Sequence, residues 1–135
     1  MTATLRLLSP RTLTFHLTIY PMRLSDCFVN VARNGRADSK EYKAWKIQAD
    51  WCVKTALKGW LKPDVPLFTG PCAITITVKK PDNRARDLDN LNKALLDLAQ
   101  RNGIVKNDSQ FHKITIQWGK EVMPHPVHYL IEEMV

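Results

Sequence analysis

Residues 72–103, CAITITVKKPDNRARDLDNLNKALLDLAQRNG, contain the pattern that decides the fold. Apolar and polar side chains alternate over 72–79, which predicts a half-buried strand. Leucines at helical spacing from Leu88 to Leu98 predict the buried stripe of a helix over 87–102, with Gly103 as its terminator. The charged segment 82–93 therefore lies between the end of a strand and the mouth of a helix.

The rest of the chain adds one helix and three strands. Strands are expected at 13–20, 114–118 and 127–131 from alternation of apolar residues. A capping box of Asp38 and Glu41 predicts a first helix that runs to about Gly59. Between the first strand and this helix, residues 21–38 show no clean period and are expected to be a long basic loop.

The order β-α-β-α-β-β predicts an α+β fold with a four-stranded mixed sheet and two helices. The 135 residues suit one domain, 1–135, with residues 1–12 as an N-terminal extension. No stretch is long and apolar enough for a membrane span or a signal peptide. Three cysteines without a paired motif predict buried thiols in a reducing cytoplasm.

Charge is distributed unevenly along the chain. Residues 1–81 carry 13 Lys and Arg against 5 Asp and Glu, a balance of +8, whereas residues 82–135 carry 7 against 8, a balance of −1. A basic half can bind a polyanion, although positive charge can also serve solubility alone. The basic loop and the strand end provide candidate phosphate-binding residues: Arg23, Arg33, Arg36, Lys79 and Lys80.

Three acids stand out in the second half: Asp87 and Asp89 at the helix mouth, and Asp108 shortly after the helix. Carboxylates that would repel each other can share a divalent cation, and Mg²⁺ favours carboxylates together with phosphate oxygens. Each acid also has a structural alternative, as an N-cap, a helix-dipole partner or a turn residue. Lys93 could likewise be only an ion-pair partner of Asp89 or Asp97.

Residues 81–94, PDNRARDLDNLNKA, followed by Asp97, Gly103 and NDSQ at 107–110, resemble the signature of the RusA family of Holliday junction resolvases. The resemblance implies a dimeric endonuclease that cuts four-way DNA junctions with paired nicks, using Mg²⁺ or Mn²⁺ and no organic cofactor. It implies that three acids hold the metal and act in catalysis together with a lysine: Asp87, Asp89, Asp108 and Lys93. It also implies DNA-positioning roles for Arg84, Arg86 and Asn90.

The sequence leaves other interpretations open. The chain could be a non-catalytic binder of branched DNA, or a less selective metal-dependent nuclease. His125 and His128 could bind a metal, although no third ligand is evident nearby in the sequence. Trp51 falls off the apolar stripe of the first helix, which makes it a candidate for base stacking or a dimer contact.

Overall fold

The structure is a computed structural model that describes residues 4–6, 11–32, 35–80, 88–120 and 122–134. In chain order, its strands and helices are β1 Thr4–Arg6, β2 Thr12–Leu17, α1 Leu24–Cys27, β3 Phe28–Val31, β4 Gly35–Asp38, α2 Lys40–Ala56, β5 Cys72–Lys79, α3 Asn92–Arg101, β6 Phe111–Gly119 and β7 Val127–Glu133. Two 3-10 turns, Asp89–Leu91 and Asp108–Gln110, flank α3.

The main sheet has the strand order β1-β2-β7-β5-β6. Strands β5 and β6 pair in parallel, whereas β7 pairs antiparallel with both β2 and β5. This mixed sheet confirms the predicted α+β class, and its four predicted strands are all present. The edge strand β1 adds a fifth member, so part of the predicted N-terminal extension belongs to the sheet.

Helices cover one face of the sheet and form the core there. Burial alternates along β5, where Cys72, Ile74, Ile76 and Val78 point into the core as the alternation predicts. Helix α2 and helix α3 place their apolar stripes on this face, and removing such side chains from water is worth about 1.5–3 kcal/mol each. The buried residues of the two helices are Tyr42, Trp45, Ala49, Cys52, Val53, Ala94, Leu95, Leu98 and Ala99.

Helix α2 begins one residue later than the sequence predicts. The capping residue is Ser39, whose hydroxyl accepts a hydrogen bond from the Tyr42 N–H at 3.0 Å and donates to the Asp26 carbonyl at 2.6 Å. Asp38 instead ends β4 and pairs with Lys46. The predicted capping box of Asp38 and Glu41 is therefore wrong, because the hydroxyl of Ser39 satisfies the orphan N–H group.

The predicted long loop at 21–38 is also wrong. This segment folds into the short helix α1 and a two-stranded hairpin of β3 and β4. Gly35 has a φ of 75°, which only glycine adopts readily, and it stands where the chain turns back into β4. The hairpin escaped the sequence pattern because its strands have only four residues each, and such short strands give a weak alternation signal.

Helix α3 is preceded by a single 3-10 turn that contains Asp89, and it ends at Arg101. The predicted start of this helix at Asp87 lies outside the described residues. At the other end, Gly103 has a φ of 75°, which agrees with its predicted role as the terminator.

The three cysteines are free and buried, as predicted. No helix in the described part of the chain is long and apolar enough to cross a membrane.

Candidate active site

The polar face of α3 is directed away from the core by the leucine stripe on its other side. Leu91, Leu95 and Leu98 are buried, so the residues between them must face outward. Lys93 is exposed on that outer face, and Asp89 is exposed in the 3-10 turn that precedes α3. A shared catalytic role for these two residues stays a prediction.

Asp108 follows α3 in the second 3-10 turn, and hydrogen bonds fix this turn. The Asn107 side chain accepts from the Ser109 N–H at 2.9 Å. The Gln110 side chain accepts from the Lys106 N–H at 2.8 Å and donates to the carbonyls of Phe68 and Gly70. Gln110 thus ties the turn to the loop before β5, and it leaves the Asp108 carboxylate exposed at a defined place.

One pocket of about 520 Å³ joins α3 to this turn. It brings together two of the predicted catalytic residues, Lys93 and Asp108, which are 15 positions apart in the sequence. Its lining residues carry both signs of charge: Lys93, Asp97, Gln100, Arg101, Lys106 and Asp108. A mixture of carboxylates and cations in one open depression can hold a metal ion and a phosphate group side by side.

Lys93 forms an ion pair with Asp97, with 2.9 Å between Nζ and Oδ2. The pair is four residues apart on one helix face and keeps the ammonium group within the pocket. Lys93 is therefore an ion-pair partner of Asp97, one of the two alternatives that the sequence left open for it. This pairing does not exclude a catalytic role, because half-exposed ion pairs of this kind stabilise by only about 0.2–0.5 kcal/mol and can rearrange.

A further network holds Arg101 at the other end of the pocket. The guanidinium donates three hydrogen bonds to the Asp50 carboxylate, the shortest at 2.7 Å from Nη2 to Oδ1. Asp50 on α2 also accepts from the buried Asn102 side chain at 2.9 Å. These hydrogen bonds connect the C-terminal end of α3 to α2. Sequence reasoning missed these bonds, because Asp50 and Arg101 are 51 positions apart and no local pattern links them.

Two of the predicted DNA-binding residues, Asn90 and Arg23, take part in local contacts near α1. Asn90 donates to the Ser25 hydroxyl at 3.4 Å. Arg23 pairs with Asp26 at 2.8 Å. These contacts are exposed, so both side chains remain available to a substrate that approaches α1.

The other predicted DNA-binding residues are more scattered. Arg36 lies over the Phe28 ring, 4.2 Å from its centroid. Lys79 and Lys80 are half-buried at the end of β5. The remaining members, Arg33, Arg84 and Arg86, lie outside the described residues, as does the candidate catalytic Asp87.

A second, larger pocket of about 670 Å³ lies on the other side of the sheet and includes His125 and His128. His16 on β2 is the neighbouring imidazole, stacked on His125 with 3.6 Å between ring centroids. Burial and the nearby His125 lower the pKa of His16, and burial lowers the pKa of His128, so both favour the neutral form. Among the described residues, no three His, Cys, Asp or Glu side chains are arranged to hold a metal ion.

Trp51 is exposed to 72%, as its position off the apolar stripe predicts. Its suggested stacking or dimer contact stays a prediction. The acid-bearing pocket, although smaller than the histidine pocket, is the one that contains two of the predicted catalytic residues, Lys93 and Asp108.

Comparison with known proteins points to the family that residues 81–110 resemble. Residues 28–126 match the family model for Endodeoxyribonuclease RusA. The Crossover junction endodeoxyribonuclease RusA of Aquifex aeolicus (strain VF5) is 30% identical over 81 residues, which cover 57% of this chain. The aligned part spans 60% of the length of that relative. Because the family model matches well over half of the sequence, the resemblance is confirmed, and the chain belongs to the RusA endodeoxyribonuclease family.

Proposed function

We propose that this protein is a metal-dependent endodeoxyribonuclease that resolves four-way DNA junctions by paired nicks. The observation that carries the proposal is the shared pocket of Lys93 and Asp108. Asp89 does not line this pocket and is exposed in the 3-10 turn just before α3. Family membership supports DNA as the substrate. The Aquifex aeolicus relative is named a crossover junction endodeoxyribonuclease, which supports a branched substrate.

The donor set suits a hard divalent cation. The carboxylates of Asp87, Asp89 and Asp108 would hold Mg²⁺ or Mn²⁺, which accept oxygen ligands and retain space for phosphate oxygens. When bound there, the metal supplies Lewis acidity for water activation and offsets negative charge on the scissile phosphate. Two of these acids, Asp89 and Asp108, are exposed in the structure, as ligands open to a substrate must be.

Lys93 would supply the second positive charge at the reacting phosphate. Its ammonium group pairs with Asp97, within the same pocket as Asp108. An incoming phosphate can replace Asp97 as its partner. A donor directed at the developing charge of the transition state is worth far more in a partly desolvated site than in water.

The basic residues would position the DNA strands. In this proposal Arg84 and Arg86 lie next to the acids in sequence, and Lys79 and Lys80 precede them at the end of β5. Arg23 on the N-terminal side of α1 and Arg36 on the hairpin would add to the basic surface, and Asn90 would add a neutral hydrogen-bonding group. Arg33 is proposed for the same role from its place in the sequence alone. Such contacts bind phosphates without reading bases, so binding weakens as salt concentration rises.

We propose further that the enzyme acts as a homodimer in the cytoplasm. A junction has two equivalent strands to cut, and two active sites related by a two-fold axis suit that symmetry. A dimer with one site in each subunit can nick both strands within one bound complex.

The test is cleavage of a labelled four-way junction and of a linear duplex with the same sequence, in Mg²⁺. Wild type is expected to nick the junction in paired positions and to leave the duplex largely intact. Asp89→Asn should lower the cleavage rate by at least about 100-fold while junction binding survives, because the amide cannot replace the charged metal ligand. Asp64→Asn is the matched control, because Asp64 is exposed in the loop between α2 and β5. This variant should cleave the junction like wild type.

Three other results of this assay would contradict the proposal. Junction binding by wild type without cleavage in Mg²⁺ or Mn²⁺ would contradict the enzyme and leave a non-catalytic binder of branched DNA. Equal cutting of both substrates would identify a less selective nuclease. Full activity of Asp89→Asn would show that the acid cluster is not the active site.

A further inference from the structure

Three basic side chains in the described part of the chain line the pocket beside α3, and two of them have carboxylate partners. Lys93 pairs with Asp97 at 2.9 Å, and Arg101 pairs with Asp50 at 2.7 Å. The third, Lys106, has no described Asp or Glu within ion-pair distance. Lys106 therefore brings a positive charge to the pocket that no described side chain offsets.

Asp108 is the acid of this pocket that has no ionic partner within the described ranges. It lies two positions after Lys106 and lines the same pocket, yet the two side chains do not pair with each other. An ammonium group and a carboxylate in this arrangement suit a phosphate group and a divalent cation between them. The cation would take the carboxylate oxygen as a ligand, and the ammonium group would donate to a phosphate oxygen. The occupant that fits the lysine side of the pocket is therefore a phosphate.

The backbone at Lys106 is fixed to the body of the protein. Its N–H donates to Oε1 of Gln110 at 2.8 Å. The two preceding residues, Ile104 and Val105, are fully buried, and the Phe68 N–H donates to the Ile104 carbonyl at 2.9 Å. The side chain of Lys106 itself stays exposed. A cation on such an anchored segment loses less backbone freedom on binding than one on a loose loop.

We propose that Lys106 binds a backbone phosphate of the DNA strand next to the phosphate that is cleaved beside Asp108. This inference rests on the proposed function, since it takes DNA as the substrate. Lys93 would act at the reacting phosphate and Lys106 at its neighbour, whereas Arg101 would keep its structural bond to Asp50. Contacts to phosphates carry no base information, so Lys106 would set the register of the strand for any sequence.

The first experiment measures binding of the full chain to a labelled four-way junction in Ca²⁺, at several salt concentrations. Lys106→Gln should bind about threefold to tenfold more weakly than wild type, because it loses one charged contact to the backbone. The slope of the logarithm of affinity against the logarithm of salt concentration should become shallower by about 0.9, since one fewer counterion is released. Lys106→Arg keeps the charge and should retain the wild-type slope.

Lys113→Gln is the matched control, because Lys113 is an exposed lysine only five positions from Asp108. Its cross-strand partner is Ala73, which alternates with the core-facing Cys72 and Ile74 of β5. Lys113 therefore faces away from α2 and α3, on the opposite side of the sheet from the pocket. Its variant should keep both the affinity and the salt slope of wild type, and circular dichroism of every variant should match wild type.

Single-turnover cleavage in Mg²⁺ separates a phosphate contact from a catalytic role. Lys106→Gln should raise the enzyme concentration needed for half-maximal cleavage and leave the rate at saturation within about twofold of wild type, because it removes binding that ground state and transition state share. Lys93→Gln, at the reacting phosphate, should instead lower the rate at saturation.

A methylphosphonate, which replaces one charged phosphate oxygen by a neutral methyl group, locates the contact on the DNA. It is placed in turn at the phosphates on either side of the bond that wild type cuts. At one of these positions it should weaken binding by wild type and leave the affinity of Lys106→Gln unchanged, since that variant has already lost the contact.

Three results would overturn the inference. One is a salt slope of Lys106→Gln equal to that of wild type. Another is a loss of affinity in Lys106→Arg as large as in Lys106→Gln, which would show that the residue acts through the fold. The third is an equal response of wild type and Lys106→Gln to the methylphosphonate at every position. Wild type that binds with the expected dependence on Lys106 but never cuts would instead contradict the proposed function and leave the phosphate contact intact.

Discussion

The pocket beside α3 and the hairpin of β3 and β4 are built in opposite ways. Around the pocket, polar side chains are held by hydrogen bonds to other elements: Arg101 to Asp50 of α2 at the surface, and Gln110 to the half-buried carbonyls of Phe68 and Gly70. On the hairpin, apolar side chains face water and two short strands support each other. A two-stranded ribbon of this kind is marginally stable by itself.

This difference separates two tasks. The proposed catalysis on a phosphodiester requires groups fixed to within a fraction of an ångström, and side chains hydrogen-bonded to neighbouring elements provide that. Contact with a deformable substrate requires a surface that can adjust, and such surfaces come from the less stable parts of a protein. Substitutions in the two regions should therefore differ in how strongly they affect global stability.

The largest effect on stability is expected from Asp50→Ala. The change removes the exposed ion pair with Arg101, worth up to about 1 kcal/mol, and the charge-assisted hydrogen bond from Asn102, worth about 1.5–3 kcal/mol, so we expect a loss of about 2–3 kcal/mol in the free energy of unfolding. Urea denaturation followed by tryptophan fluorescence measures it. Asp50→Asn retains the shape of the side chain and should lower the free energy of unfolding by less than Asp50→Ala. A loss below about 0.5 kcal/mol for Asp50→Ala, the size of an ordinary surface change, would mean that the network does not hold the pocket.

Gln110→Ala should have the next largest effect. It removes the side-chain hydrogen bonds that fix the turn carrying Asp108, at a cost of about 2 kcal/mol. Because Asp108 would then be less well placed, the cleavage rate should fall more than junction affinity. Gln117→Ala on β6 is the control, since its side chain bonds only to Thr77 among the described residues. If both variants have the same stability and the same cleavage rate, Gln110 has no special role in placing Asp108.

The smallest effect is expected on the hairpin, from Arg36→Gln. The guanidinium lies over the Phe28 ring, and an exposed contact of this kind is worth about 0.5–1 kcal/mol. We expect hydrogen exchange of the hairpin amides to accelerate about twofold to fivefold, with no change in global stability. Lys43→Gln, at an exposed position of α2, should leave hairpin exchange unaltered. A large drop in global stability would show that the hairpin is part of the cooperative core.

Much of the fold could be predicted from the sequence because the long elements have clear periods. The eight residues of β5 and the leucine stripe of α3 are examples. The hairpin could not, since four-residue strands give too few alternations. The cap of α2 was misassigned because Asp38, Ser39 and Glu41 are all plausible capping residues, and only the tertiary contact of Ser39 with Asp26 decides among them.

For the candidate site, the sequence predicts residue types but not the groups that hold them in place. The outward direction of Lys93 follows from the helical spacing of the leucines, whereas Asp89 lies in the 3-10 turn before α3. Arg101 and Lys106 were not predicted as pocket residues, because their nearness to Asp108 depends on how the chain turns after Gly103. Catalytic and metal-binding roles for these residues stay predictions until the cleavage assay is done.

The position of β7 has a consequence for when the proposed nuclease activity can appear. This strand is the last of the sheet to be synthesised, yet it lies between β2 and β5 at the centre. Its pairing with β2 joins residues more than 100 positions apart, and such distant contacts form late. A nascent chain on the ribosome therefore has its acids and its basic residues long before it has a sheet to hold them. We expect nuclease activity to appear only once β7 is in place, which would keep incomplete chains from nicking the DNA of the cell that makes them.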